Sequence, residues 1–468
     1  MDKLKKIKHL FALAMKPSSG HAIFERYGEA LSPNVRALRL AVTIADILTS
    51  LGISVSDVTS MALDITDRYC KRKVQFDISY TIIMASQDRG DDREPLTMIR
   101  HAQSRSPNNR LVQDLQELAR DISKRGTSLD DAEQRLEDIL KARKTQPYWI
   151  NALAGAFISG GVGLMFGASY IILAIMFVFG FIVSYILRVF THQRVPAFFS
   201  QVAAAAIMTL IAASVYWAGT DGDIALFRGL NSTLIVIGGI IMLVAGLSIV
   251  GAIQDAIDEY YITANARLAK AIMMTSGIVA GVLIGLYIAN KFGVHITVES
   301  EAQKLGRDDW QYYGAILIAA GYAVSVNSKY ATVIVSGLMG LLSWFIYLTA
   351  SQHLGLSAIV SSGVAAFVSG GVGTLIARIW RTPSIGLITA GVIPLVPGLT
   401  LFNGLLAIVE GASQGNTDAG VLTIMTAVGI ALAIGSGVSF GVFVTRPLRR
   451  TLVQARNRLP TRYKKITS

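Results

Sequence analysis

The stretch that most constrains this chain is Gly391-Val-Ile-Pro394-Leu-Val-Pro397-Gly398-Leu-Thr400-Leu-Phe-Asn403-Gly404, a helix-breaking segment inside an apolar run. Pro394 and Pro397 each remove a backbone donor and clash with the carbonyl four residues earlier, and Gly398 loosens the chain beside them. Carbonyls released at membrane depth need other partners, so such a break is tolerated only inside protein or along a wet cavity. A second copy lies 152 positions upstream, where Val244-Ala-Gly246-Leu-Ser248-Ile-Val-Gly251 aligns with Val396-Pro-Gly398-Leu-Thr400-Leu-Phe-Asn403. The register continues: Ile272-Met273 falls on Ile424-Met425, and Gly277-Ile278 on Gly429-Ile430. Two interrupted apolar segments at matching places are the sequence pointer to a binding site in a carrier built from repeats.

With 52% hydrophobic and 16% charged residues among 468, and a mean hydropathy of +0.50, the chain reads as an integral membrane protein. Its net charge of +12 is carried by the ends. Residues 149 to 445 hold 11 basic and 11 acidic side chains, while 446 to 468 hold eight basic and no acidic ones. That distribution suits an anionic inner leaflet, and no aromatic-and-basic motif points to nucleic acid. The lone cysteine, Cys70, has no partner in the chain for a disulfide, which fits a cytoplasmic N-terminal region. The run from Leu10 to Met15 is too short for a signal peptide. Residues 1–33 read either as a basic segment on the membrane surface or as a frayed tail.

Residues 34–148 predict a small cytoplasmic α+β domain. Two helices over 34–70 break at Leu51-Gly52-Ile53-Ser54, Val74 to Ile82 alternates as a half-buried strand, and Leu96 to Arg100 can pair with it. Helices follow over 108–124 and 128–143, the second with Ser128 as its N-cap. The loop Asp88-Arg-Gly-Asp91-Asp92 lacks calcium-loop spacing and reads as a solvated turn.

From Trp149 ten spans are expected: 149–167, 169–187, 197–217, 231–251, 268–289, 311–327, 331–350, 356–378, 384–409 and 420–444. If residues 1–148 stay inside, inward loops hold Arg188, Arg194, Arg267, Lys270, Lys329, Arg378 and Arg381, and outward loops hold Arg228, Lys291, Lys304 and Arg307 beside eight acidic residues. Both termini are therefore expected in the cytoplasm. Five spans per half is an odd number, so a second half repeating the first must be inverted. The expected architecture is an α-helical polytopic membrane protein, a 5+5 inverted repeat of 149–289 and 310–446. A linker, 290–309, joins the halves outside, and a basic tail, 447–468, follows. The strings Phe157-Ile-Ser-Gly-Gly-Val-Gly163 and Phe367-Val-Ser-Gly-Gly-Val-Gly373 lie out of that register and read as separate packing seams.

No nucleotide loop, metalloprotease helix, nucleophile elbow or dinucleotide fingerprint occurs in a credible context, so neither enzyme chemistry nor a cofactor or metal is expected. A broken helix offers amide donors for a carboxylate and freed carbonyls for an ammonium, which suits a small zwitterion. Gly246, Ser248, Gly251, Pro397, Gly398, Thr400 and Asn403 are the candidate binding residues, with Ser248, Thr400 and Asn403 able to read a side-chain hydroxyl. The competing role for Ser248 and Thr400 is a hydroxyl bonded back to its own helix. Asp255, past Gly251, is the candidate proton or ammonium site, and Glu410 closes the ninth span at its outer end. The competing role for Asp255 is a charge solvated at the interface.

Several runs in order resemble the threonine/serine exporter family, actinobacterial type. They are Pro196-Ala-Phe-Phe199-Ser-Gln-Val, Ala245-Gly246-Leu-Ser through Gln254-Asp255-Ala-Ile to Arg267, Gly277-Ile-Val-Ala-Gly281-Val, Pro397-Gly398-Leu, and Ile44-Ala-Asp46-Ile-Leu-Thr-Ser-Leu-Gly52. The resemblance implies export of L-threonine and L-serine across the plasma membrane by a secondary carrier driven by the proton-motive force, with a homo-oligomer possible. Ala45-Asp46 and Ser54 depart from that family's pattern. Relatives in the wider superfamily imply an alternative cargo, small dicarboxylates such as succinate, for which Arg267, Lys270, Arg378 and Arg381 are the nearest cations.

Overall fold

The computed structural model describes residues 32–458 except 91–92, 104–106, 143–145, 221, 223, 245, 297, 299–304, 381–383 and 413–416. The expected tail 1–33 therefore lies almost wholly outside the described residues, as do Asp91, Asp92, Lys304, Arg381, part of the 290–309 linker and the last residues of the 447–468 tail.

Helices α1 (Pro33–Ser50) and α2 (Val55–Tyr69) are separated by a tight turn in which Gly52 adopts φ +86°, and Ser54 caps α2 by accepting from the Asp57 N–H. Strands β1 (Val74–Ser79), β2 (Ile82–Gln87) and β3 (Leu96–His101) form one antiparallel sheet in that order. The alternating stretch Val74 to Ile82 is thus not one strand, because the chain turns at Tyr80, whose φ is 56°. Ser79 pairs with Ile82 across the turn, so the two share a face; Ile82 is left exposed while Ile78 and Ile83 go inward. The 96–101 segment pairs with β2 rather than β1, Met84 opposite Ile99. Helices α3 (Asn109–Arg125), capped by Asn108, and α4 (Leu129–Lys141), capped by Ser128, complete this region. Leu38, Ile44 and Leu48 of α1 meet Ile65, Ile78, Ile83, Leu115, Leu118, Ile122 and Leu136 in a core separate from that of the later helices.

The remainder is helical. Helices α5 (Tyr148–Met165), α6 (Tyr170–His192), α7 (Ala197–Thr220), α10 (Tyr261–Lys291), α12 (Tyr330–Leu348, continued by a π-helical turn Thr349–His353), α13 (Ala358–Trp380) and α16 (Asp418–Arg458) are long and apolar enough to cross a bilayer. The expected fourth and ninth spans are bent pairs. Helix α8 (Ser232–Ile240) runs through a 3-10 turn (Ile241–Leu243) into α9 (Gly246–Ile257) with a 48° bend, and α14 (Ser384–Val392) runs through Ile393–Leu395 into α15 (Gly398–Ala412) with a 43° bend. With each pair taken as one span, the described residues hold up to nine candidate crossings. The expected sixth, α11 (Asp308–Ser325), is as long as α5 at 18 residues but opens on Asp308 and Asp309 and is too polar to join them. The tail from 447 begins as a continuation of α16.

Small residues bring these helices together, as expected where lipid offers no hydrophobic drive for association. A Cβ on Gly161 of α5 would lie 2.9 Å from the Gly314 carbonyl of α11, and one on Gly370 of α13 would lie 2.6 Å from the Val438 carbonyl of α16. The two similar glycine strings thus serve different seams. The outward faces of α6 and α16 carry Val178, Phe181, Leu422, Met425, Phe440 and Phe443, all exposed and apolar.

The N-terminal region touches both halves at one face. Tyr260, between α9 and α10, packs on its core, and the Asn109 N–H donates to the Val326 carbonyl after α11 at 2.7 Å. A Cβ on Gly386, near the start of α14, would lie 2.7 Å from Asn109 Nδ2. Helix α9 therefore ends at that face and α14 begins there.

Candidate functional site

The two bent pairs recur in the register the sequence sets. The helix starts Ser232 and Ser384, the 3-10 turns from Ile241 and Ile393, and the restarts Gly246 and Gly398 are each 152 residues apart. At the first bend the Val244 N–H donates to the Ile241 carbonyl at 3.4 Å; at the second the Val396 N–H donates to the Ile393 carbonyl at 3.1 Å and the Gly398 N–H to the Val396 carbonyl at 2.8 Å. The first amides of α9 and α15 then lack helical acceptors, as at any helix start.

These restarts meet. A Cβ on Gly246 would press on Val396 Cγ1 and lie 3.1 Å from Gly398 Cα; one on Gly398 would lie 2.6 Å from Val244 Cγ1 and 3.5 Å from Gly246 Cα. Only glycine allows this approach. Both glycines and Pro397 are buried. Ile249 and Leu401, again 152 apart, share an apolar cluster with Ala271, Ala427 and Ala431. Two helix N-termini with their positive dipole ends thus converge in apolar surroundings.

Polar side chains stand beside them. Asn403 is 5% exposed, and Ser248 and Thr400 are half-buried. Among the described residues, none of these three side chains makes a hydrogen bond. Elsewhere in the helices hydroxyls bond back to the carbonyl four residues earlier, as Ser184 does to Gly180, Thr275 to Ala271 and Thr374 to Gly370. Ser248 and Thr400 do not, because their carbonyls four residues back, Val244 and Val396, lie in the non-helical bend.

Two residues the sequence did not single out steady the bends. Ser159 of α5 donates to the Gly238 carbonyl at 2.7 Å, and Ser343 of α12 donates to the Gly391 carbonyl, both fully buried. Each acceptor lies shortly before a break, where carbonyls lose helical partners. Their signal was a serine within an apolar span, which alone is too common to assign.

Asp255 is remote from solvent, at 0% exposure, rather than solvated at an interface. Its Oδ2 sits 2.7 Å from Arg267 Nη1 and its Oδ1 accepts from the Val55 N–H at 3.4 Å, while Arg267 Nη2 donates to the Ile53 carbonyl at 3.1 Å. Gly251 faces the same arginine, with the place of its Cβ 3.4 Å from Nη1. Glu410, by contrast, is exposed near the end of α15 and does not join the centre. No group of three His, Cys, Asp or Glu side chains suited to a metal occurs among the described residues.

The family model described as "Putative threonine/serine exporter" matches residues 39–289, more than half the chain, and the one described as "Threonine/Serine exporter, ThrE" matches 311–441. The chain belongs to the threonine/serine exporter family. It is similar to a "Probable threonine/serine exporter" of Mycobacterium tuberculosis (strain ATCC 25618 / H37Rv), 28% identical over 88% of this chain and 77% of that protein. It is also similar to a "Threonine/serine exporter" of Corynebacterium glutamicum, 27% identical over 88% of this chain and 83% of that one. No solved structure matches. Members of a threonine/serine exporter family are transporters rather than enzymes, and with its apolar helices this one is a multi-pass membrane protein.

Proposed function

We propose that this chain exports L-threonine and L-serine from the cytoplasm as a secondary carrier driven by the proton-motive force. The observation that carries the assignment is the meeting of Gly246 and Gly398 beside three polar side chains that make no hydrogen bond among the described residues. Converging helix N-termini attract a carboxylate, carbonyls at the ends of α8 and α14 suit an ammonium, and Ser248, Thr400 and Asn403 are spaced to read a hydroxyl on the cargo. The names of the two relatives agree. Proton coupling falls to Asp255, a buried carboxylate on the second helix of one bent pair, with Glu410 near the outer end of the other.

The proposed architecture is ten spans in two inverted sets of five, 149–289 and 310–446, beneath a cytoplasmic α+β domain at 34–148. Support comes from the common 152-residue register and from α9 ending, while α14 begins, at the face the N-terminal region covers. Helix α11 then crosses as the sixth span, its polar start packed on α5 through Gly314 and Gly161. Both termini face the cytoplasm of a cell whose plasma membrane holds the protein, with the halves joined outside through 290–309.

A dicarboxylate such as succinate is the second cargo class. Of its candidate cations Arg267 is already committed to Asp255 and to the Ile53 carbonyl, which favours the zwitterion. Counterflow of labelled threonine in proteoliposomes tests both. Unlabelled serine should compete and succinate should not, and Thr400→Val with Asn403→Leu should abolish counterflow without loss of protein from the membrane. Competition by succinate alone, or unchanged counterflow in the double variant, would overturn the assignment.

A further inference from the structure

The polar contacts of Asp255 lie between three separate pieces of the chain. Val55 N–H, Asp255, Arg267 and the Ile53 carbonyl form a closed ring that ties the start of α2 to the end of α9 and the beginning of α10. Tyr80, at the β1–β2 turn, adds an N–H bond to Thr263 Oγ1 at 2.9 Å. On the other half, Asn109 Nδ2 donates to Ser328 Oγ at 3.1 Å and Asn327 Nδ2 donates to Asn108 Oδ1 at 3.3 Å. One body with its own apolar core is thus bonded to both halves at one face.

We propose that the Leu51–Val55 turn and Arg267 form a latch that grips α9 through Asp255 and keeps the path at the bends shut on the side of the N-terminal region. The proposal rests on the assignment of α8/α9 as part of the cargo path. A carrier that exposes its site alternately must move one half against the other, and a body fixed to both opposes that movement until it lets go. Burial makes the contact all-or-none: a carboxylate at 0% exposure without its partners is strongly unfavourable, so Asp255 is either fully held or moved to where water reaches it. Arg267 is the positioning residue, since it joins Asp255 to Ile53 and stands over Gly251, one helical turn nearer the bend.

The geometry allows the Val55 N–H to be removed almost alone. Val55 is the first residue of α2, where proline is accepted, and Ser54 already has the extended ψ of 144° that a following proline requires. Val55→Pro deletes the donor to Asp255; Val55→Ala trims the same buried side chain and keeps the donor. The reporter is Gly251→Cys in a Cys70→Ser background, full chain in nanodiscs, labelled with a small cationic methanethiosulfonate. Loss of one bond to a charged group should raise the labelling rate by about tenfold in Val55→Pro over Val55→Ala. Arg267→Gln, which leaves α2 untouched, should raise it comparably over the parent. An unchanged rate in either comparison overturns the latch. The labelling needs no cargo, so a wrong cargo assignment leaves this readout intact, and a failed latch leaves threonine counterflow intact.

Discussion

Gly246 and Gly398 lie against each other at the bends of two different helix pairs, the place of a Gly398 Cβ being 3.5 Å from Gly246 Cα. Neither position has room for a methyl group, and the obstacle is reciprocal: Val396 for Gly246, Val244 for Gly398. Gly246→Ala and Gly398→Ala should each lower efflux by about tenfold or more while the protein still reaches the membrane, since overpacking at a fixed contact typically costs about 1–3 kcal/mol. Adding Val396→Ala to the first and Val244→Ala to the second should restore part of the loss. Efflux from threonine-loaded cells with quantified membrane protein checks this; crossed rescue, with Val244→Ala relieving Gly246→Ala instead, would contradict the contact.

Ser343 and Ser159 test the bends from outside. Ser343→Ala and Ser159→Ala leave the Gly391 and Gly238 carbonyls short of a buried donor, which should destabilise the protein by about 1–3 kcal/mol each. Thermal unfolding in detergent should drop for both. Serine 184, bonded only to its own helix at Gly180, is the control and should tolerate alanine with little change.

Cys70 reports where the N-terminal region resides. It is the one cysteine of the chain, half-buried, and burial pushes its thiol above the usual range. A raised pKa means less thiolate at neutral pH, so labelling should be slow at pH 7 and accelerate as pH climbs through the raised value. An impermeant maleimide should fail on intact cells and succeed after permeabilisation; labelling of intact cells would place the region outside.

The bent pairs were legible because proline and glycine act locally, and a repeat doubles the signal. Gly246 aligns with Gly398 in sequence, and the contact between them follows from the close approach glycine permits. The strand reading failed at Tyr80 because alternation has no marker for a turn that reverses which face is buried, so Ile82 read as inward and is exposed. The sixth span read as 311–327 with Asp308 and Asp309 in the loop before it, whereas α11 begins at Asp308 and takes both into its first turn. Asp255 was singled out for its place past Gly251, but its partners were not: Arg267 follows a turn, and Ile53 and Val55 lie about 200 residues away, a separation that local pattern cannot bridge. Ser248 and Thr400 were ambiguous for the same reason, since whether a hydroxyl bonds its own helix depends on the backbone four residues back.

Contact between the two bends, in the path of the cargo, is tested most directly by Val244→Cys and Val396→Cys in a Cys70→Ser chain joined by a short bis-methanethiosulfonate, which forms a disulfide to each thiol and releases sulfinate. The expected result is intramolecular cross-linking in each molecule together with loss of threonine efflux, restored on reduction of a cleavable linker. No cross-link, or complete cross-linking with efflux unchanged, would contradict the account.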